Sequence, residues 1–158
     1  MINILNRIKL FEILNNLKMD VLPEFGEMTP QHMVEHLALA VRFSNGKEPQ
    51  KSCYSTDKEQ KIKAFVIGTH NELPIGFKSP VMPIDGLWKL EFSNLKNAIE
   101  NLKIELTDFD NYFIKHPSIK PINPTMGELD YQEWIIFHNK HFTHHFGQFR
   151  LPTNYEFV

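Results

Sequence analysis

The run from Asp130 to Leu151 contains no proline and holds four of the eight histidines, set among Trp134, Phe137, Phe142, Phe146 and Phe149. Proline removes a backbone donor and clashes with the preceding turn, so a proline-free run of this length favours one continuous helix. Successive residues on a helix advance by about 100°, which puts His141 and His145 roughly 40° apart on one face. Trp134, His138 and Gln148 project into the same narrow arc. A face that alternates Trp, His and Gln is too apolar for solvent and too polar for an ordinary core. A His-x-x-x-His pair on a buried helical face is a well-attested way of holding a divalent metal. The rest of the chain must then supply further ligands and a scaffold.

The scaffold reads as helical throughout. Residues 3–18 carry apolar side chains at Ile4, Ile8, Phe11, Leu14 and Leu17, an amphipathic spacing. Thr29 is placed to cap a helix with Pro30 at its first position, and Gly46 to end it. On that helix His32, Met33, His36, Leu39, Ala40 and Phe43 share a face, while Glu35 and Arg42 point elsewhere. Thr56 and Glu59 form a capping-box pattern for a short helix. The stretch from Thr69 to Glu91, punctuated by Pro74, Pro80, Pro83, Gly76 and Gly86, reads as a long connection that covers the site or lines its mouth. Ser93 then caps a helix with apolar residues at Leu95, Ile99, Leu102, Leu106, Phe109 and Phe113, ending at His116-Pro117. The alternation of four and three is the rhythm of helices packed at a shallow angle. A proline-rich link leads to the last helix, and no convincing strand is evident. Four principal helices and one short one predict a single all-α domain, an antiparallel four-helix bundle.

Composition excludes several classes. A net charge of −2, with acids and lysines mixed along the chain, leaves no nucleic-acid footprint. The single cysteine, Cys53, excludes an intramolecular disulfide and a cysteine-based zinc cluster, and its polar loop has no adjacent histidine to activate it. Arg7, Lys9 and Glu12 interrupt the apolar residues of the N-terminus, and no uncharged run approaches the roughly 20 residues of a spanning helix. A soluble, cytoplasmic protein without a membrane partner is the default expectation.

Helical phase therefore gives a candidate ligand set of His36, His141 and His145, with two ligands on one helix and the third on a facing one. Three imidazoles leave a coordination position for water or substrate, as catalytic metals require. His32, one turn before His36, could be a fourth ligand, hydrogen-bond to a ligand, or cap the end of the bundle. His138 could replace His145 as a ligand, support one, or pack in the core. His144 projects to the edge of the stripe as a hydrogen-bonding neighbour, and Gln148 could orient a ligand or join two helices. His70 and His116 receive no role. An all-imidazole site suits zinc, nickel, copper and iron alike. There is no glycine-rich phosphate loop, no Gly-x-Ser-x-Gly elbow and no Glu-x-x-His pair of the di-iron type.

Two stretches, Met28-Thr-Pro-Gln-His-Met-Val-Glu-His36-Leu37 and Met126-Gly-Glu-Leu-Asp-Tyr-Gln-Glu-Trp134 leading into His141-Phe-Thr-His144-His145-Phe-Gly-Gln148-Phe149, resemble the DinB/YfiT-like superfamily of metal-binding four-helix bundles. The likeness is to a branch known mainly as a domain of unknown function, and it covers nearly the whole chain. It implies His36, His141 and His145 as ligands, a divalent ion such as zinc or nickel, and a homodimer. It also implies a small-molecule substrate, since characterised relatives include transferases and isomerases using thiols such as bacillithiol or mycothiol. A metal with a free position would lower the pKa of such a thiol and hold it as thiolate. Relatives often carry an arginine just after the last ligand, where this chain reads Phe146-Gly147-Gln148, so that arginine's role is vacant or filled elsewhere. Hydrolysis by metal-activated water, and a non-enzymatic bundle for binding or dimerisation, are the competing expectations.

Overall fold

The computed structural model describes residues 1–77, 79–83 and 86–154, so residues 78, 84 and 85 of the long connection lie outside the described set. Five helices, α1 (Arg7–Asn15), α2 (Pro30–Arg42), α3 (Thr56–Val66), α4 (Leu95–Lys115) and α5 (Tyr131–Gln148), account for most of the regular structure. The strands β1 (Ile122–Asn123) and β2 (Gly127–Glu128) pair antiparallel, Ile122 opposite Glu128 and Asn123 opposite Gly127. Among the described residues no helix is long and apolar enough to cross a membrane.

Local chemistry sets the boundaries. The Thr29 side chain accepts from the His32 backbone N–H, with Pro30 at the first helical position. Helix α5 begins in a full capping box, Asp130 accepting from the Glu133 backbone and Glu133 from that of Asp130, both at 3.0 Å. Elsewhere the caps lie beside the residues expected. Asn94, not Ser93, caps α4 by accepting from the Asn97 N–H, and Ser55, not Thr56, caps α3. Glu59 does not close a capping box; it is buried, its carboxylate against Gly127. Helix α2 has already ended at Phe43 when Gly46 turns the chain at φ +83, where a Cβ would stand 2.5 Å from the Tyr112 ring.

Helix α1 is shorter than its periodicity predicts. Asn6 caps it by accepting from the Lys9 N–H, and the Asn16 side chain donates to the Glu12 carbonyl near its end. Residues before Asn6 form a turn tied to α5 instead, with Ile2 N–H donating to Thr143 Oγ1 and Ile4 N–H to Asn139 Oδ1, each at 2.8 Å. The buried face is Leu10, Phe11, Ile13 and Leu14, which leaves Ile8 on the far side of the helix and 86% exposed. The 122–128 hairpin was also unforeseen, because two-residue strands carry no alternation to read.

Helix α2 packs mainly on α4 and also on α5, α1 lies on α4, and α3 covers β2. Leu102, Leu106 and Phe109 of α4 meet Met33, Val34 and Leu37 of α2 and Trp134, Phe142 and Phe146 of α5 in one core. Phe109 is its aromatic hub, stacking on Tyr131 with centroids 5.6 Å apart and meeting the His138 ring edge-on at 5.5 Å. Phe109→Ala is expected to destabilise the fold by about 3–5 kcal/mol, whereas Ile8→Ala should change it by less than about 0.5 kcal/mol, as read from urea unfolding. Equal costs would contradict this assignment of the two faces.

Candidate metal centre

His36 from α2 and His141 and His145 from successive turns of α5 converge. His141 Nε2 lies 2.9 Å from His36 Nε2 and 3.1 Å from His145 Nε2. Three imidazole nitrogens on one tetrahedral zinc, at metal–nitrogen distances of about 2.0–2.1 Å, stand about 3.3 Å from each other. Those two spacings are within a few tenths of an ångström of that, and the three donor atoms all lie within 4.8 Å of one another, close enough to hold a metal ion.

The hydrogen-bond inventory of the cluster also points to an ion. Gln148 Nε2 donates to the Phe25 carbonyl at 2.8 Å, which turns Gln148 Oε1 toward His145 Nδ1, also at 2.8 Å. A carbonyl oxygen only accepts, so His145 carries its proton on Nδ1 and directs the Nε2 lone pair at its two neighbours. Among the described residues, the Nδ1 atoms of His36 and His141 are buried without a partner. Neutral rings alone cannot satisfy this cluster, since at most one proton can sit between His141 and either neighbour. A cation at the point of convergence engages all three lone pairs at once. The residues present therefore fit a divalent ion in both donor chemistry and spacing.

Burial keeps the donors available. Desolvation lowers the His36 pKa to about 4, with a smaller contribution from His144. His141 is held well below its ordinary range, first by desolvation and then by the histidines around it. His145 is likewise held low by desolvation and His36, against the opposing effect of the Gln148 hydrogen bond. All three are neutral near pH 7, the form that ligation requires. The Phe137 ring stacks on His141 with centroids 5.3 Å apart, and Gly26, at φ +75, passes so near Gln148 that a Cβ would stand 3.1 Å from its Nε2.

The other histidines are placed differently. His32 has both ring nitrogens engaged, Nδ1 with Thr29 Oγ1 at 2.7 Å and Nε2 with the Trp88 carbonyl at 3.1 Å, and has no lone pair to offer a metal. His138 is fully buried, stacked on Trp134, with Nε2 2.9 Å from Ser44 Oγ. Because that hydroxyl donates to the Val41 carbonyl, His138 Nε2–H donates to the hydroxyl and ties α5 to the end of α2. His144 is half-buried beside Phe25 and lines a cleft of about 350 Å³ with Glu24, Glu72, Leu73 and Gly147. Gly147 has no atom within 4 Å of where a Cβ would stand, so packing does not demand glycine there. His70 and His116 are exposed, as is Cys53.

Sequence reasoning missed Trp88, whose ring packs on His36, and the burial of Glu35. That carboxylate is buried and accepts from the backbone N–H groups of Glu91 and Phe92 at 2.7 and 3.1 Å. Neither carries a readable signal, since Trp88 lies in an aperiodic segment and Glu35 bonds backbone brought from elsewhere in the chain. Comparisons of the chain with protein-family models, with curated proteins and with solved structures find no match.

Two measurements test this description. Gln148→Leu frees His145 to adopt either tautomer and should weaken zinc binding about 10–100-fold in a competition titration. His138 is kept neutral down to about 3 by desolvation and, secondarily, Arg7, whereas a histidine in the unfolded chain protonates near 6.5. The unfolded chain thus gains a proton that the folded one refuses, and stability falls as pH drops from 6.5 toward 3. His138→Gln should reduce that slope by about 1.4 kcal/mol per pH unit in urea unfolding of the metal-free protein.

Proposed function

We propose that this chain is a DinB/YfiT-like four-helix-bundle metalloprotein in which His36, His141 and His145 hold one zinc or nickel ion, serving a thiol-dependent transfer reaction. The observation that carries the metal reading is the convergence of three neutral imidazoles, His141 Nε2 within hydrogen-bonding distance of both other Nε2 atoms and all three donor atoms within 4.8 Å of one another. The transfer chemistry, the four-helix class and the homodimer rest on the sequence resemblance. An ion bound there supplies Lewis acidity and a position at which a low-molecular-weight thiol is held as thiolate.

The chain's own residues prepare the site. Burial keeps the imidazoles unprotonated, Gln148 fixes the His145 tautomer, and Phe137 and Trp88 shield the rings from water. One observation favours a second reading. His141 and His145 are buried and His36 only partly exposed, and the cleft beside His144 is lined by none of the three. Such enclosure suits an ion that stabilises the bundle without turnover.

Protein produced without a histidine tag, supplemented with zinc or nickel at about pH 7.5 and desalted, should retain about one ion per chain, and His141→Ala close to none. Protons compete only once they can enter the buried rings, so the ion should be kept well below the ordinary histidine pKa of 6.5 and be lost as pH falls through about 4. Loaded protein should also accelerate transfer of a low-molecular-weight thiol to an alkylating electrophile, an effect absent in His141→Ala. Stoichiometric ion without thiol transfer would favour the stabilising reading. No ion at all would refute both.

A further inference from the structure

Of the three converging rings, His36 is the most exposed, half-buried where His141 and His145 are buried, so the way into the cluster lies on its side. Trp88 stands there. Its indole lies against His36 with centroids 5.8 Å apart and planes tilted by 40°, and meets the His32 ring edge-on at 5.3 Å. The Trp88 carbonyl accepts from His32 Nε2–H, which leaves His32 Nδ1 to accept from the Thr29 hydroxyl. One helical turn thus ties the backbone of Trp88 to the N-terminus of the helix that carries His36. Just beyond Trp88 the chain is fixed again, where Glu35 accepts from Glu91 and Phe92 and Gln31 Nε2 donates to the Phe92 carbonyl at 2.7 Å. On the near side Gly86, at φ +71, is exposed and has nothing within 4 Å of where a Cβ would stand. Trp88 is itself only half-buried. Among the described residues, it is a bulky side chain anchored on its C-terminal side and held at its own position by one neutral hydrogen bond.

We infer that Trp88 controls access to the three-histidine centre, its indole closing the His36 side and the His32–Trp88 hydrogen bond keeping it closed. The inference rests on reading the cluster as a metal centre, but the closure can be tested without metal. Ions and ligands then enter and leave at a rate set by displacement of Trp88. His32 serves the site by positioning that cover.

Diethyl pyrocarbonate, which modifies accessible neutral imidazoles, is applied to the metal-free protein and followed by peptide mass mapping. His36 should react about tenfold faster in Trp88→Ala and His32→Ala than in the unaltered protein, and at close to the unaltered rate in Trp88→Phe. Exposed His70 gives the internal control. In zinc-loaded protein, extraction by a chelator should accelerate about tenfold in Trp88→Ala, with about one ion per chain still bound at the start. A His36 rate within about twofold of the unaltered protein in Trp88→Ala would overturn the inference. So would an equal acceleration at core His138, which would signal general loosening. Failure of the unaltered protein to bind zinc would refute the metal reading instead, while the modification rates still decide whether Trp88 covers His36.

Discussion

Three uncharged imidazoles facing one another at 2.9 and 3.1 Å inside a helical interior are the constraint on which the rest of this structure depends. Protonating any of them would place an unsolvated charge beside two other rings, so desolvation holds all three in the basic form. The arrangement requires α2 and α5 to meet at fixed rotation. The apolar faces of both helices, locked onto Leu102, Leu106 and Phe109 of α4, supply that rotation. Polar ties finish it. His138 is joined to Ser44, and Gln148 to the Phe25 carbonyl, so the turn before α2 and the end of α5 hold the ligand-bearing turns between them.

The long connection between α3 and α4 is secured by a different means. It contributes few apolar side chains to the core, yet side chains of the helices capture its backbone at both ends. Lys140 Nζ donates to the Thr69 carbonyl at 2.7 Å, and His32, Gln31 and Glu35 hold residues 88–92. Each tie places a buried or half-buried polar group on a backbone partner that would otherwise be unsatisfied, which suits a segment without regular structure of its own. Near its C-terminal end this segment places Trp88 against His36. Burial of Lys140, whose pKa is lowered by desolvation, fits the same pattern of side chains committed to the connection.

What could be read from the sequence was whatever depends on helical phase. Thr29-Pro30 marks its helix start through a hydrogen bond with a neighbour three residues away, and periodicity put His36, His141 and His145 on inward stripes. What could not be read depends on contacts distant in the chain. Ile8 matches an amphipathic spacing, but Leu10, Phe11, Ile13 and Leu14 define a different buried face once α4 is in place. His32 shares the stripe of His36, and only the arrival of Trp88, 56 residues later, takes up its remaining nitrogen. Glu35 points away from the histidine stripe, and only the backbone of residues 91 and 92 accounts for its burial.

The central claim concerns three nitrogens around one ion, and X-ray absorption at the metal edge of zinc-loaded protein measures that directly. The account predicts a first coordination sphere with three imidazole nitrogens at about 2.0–2.1 Å, reduced by one in His145→Ala. A sphere made only of oxygen ligands, or one unchanged by loss of His145, would contradict it.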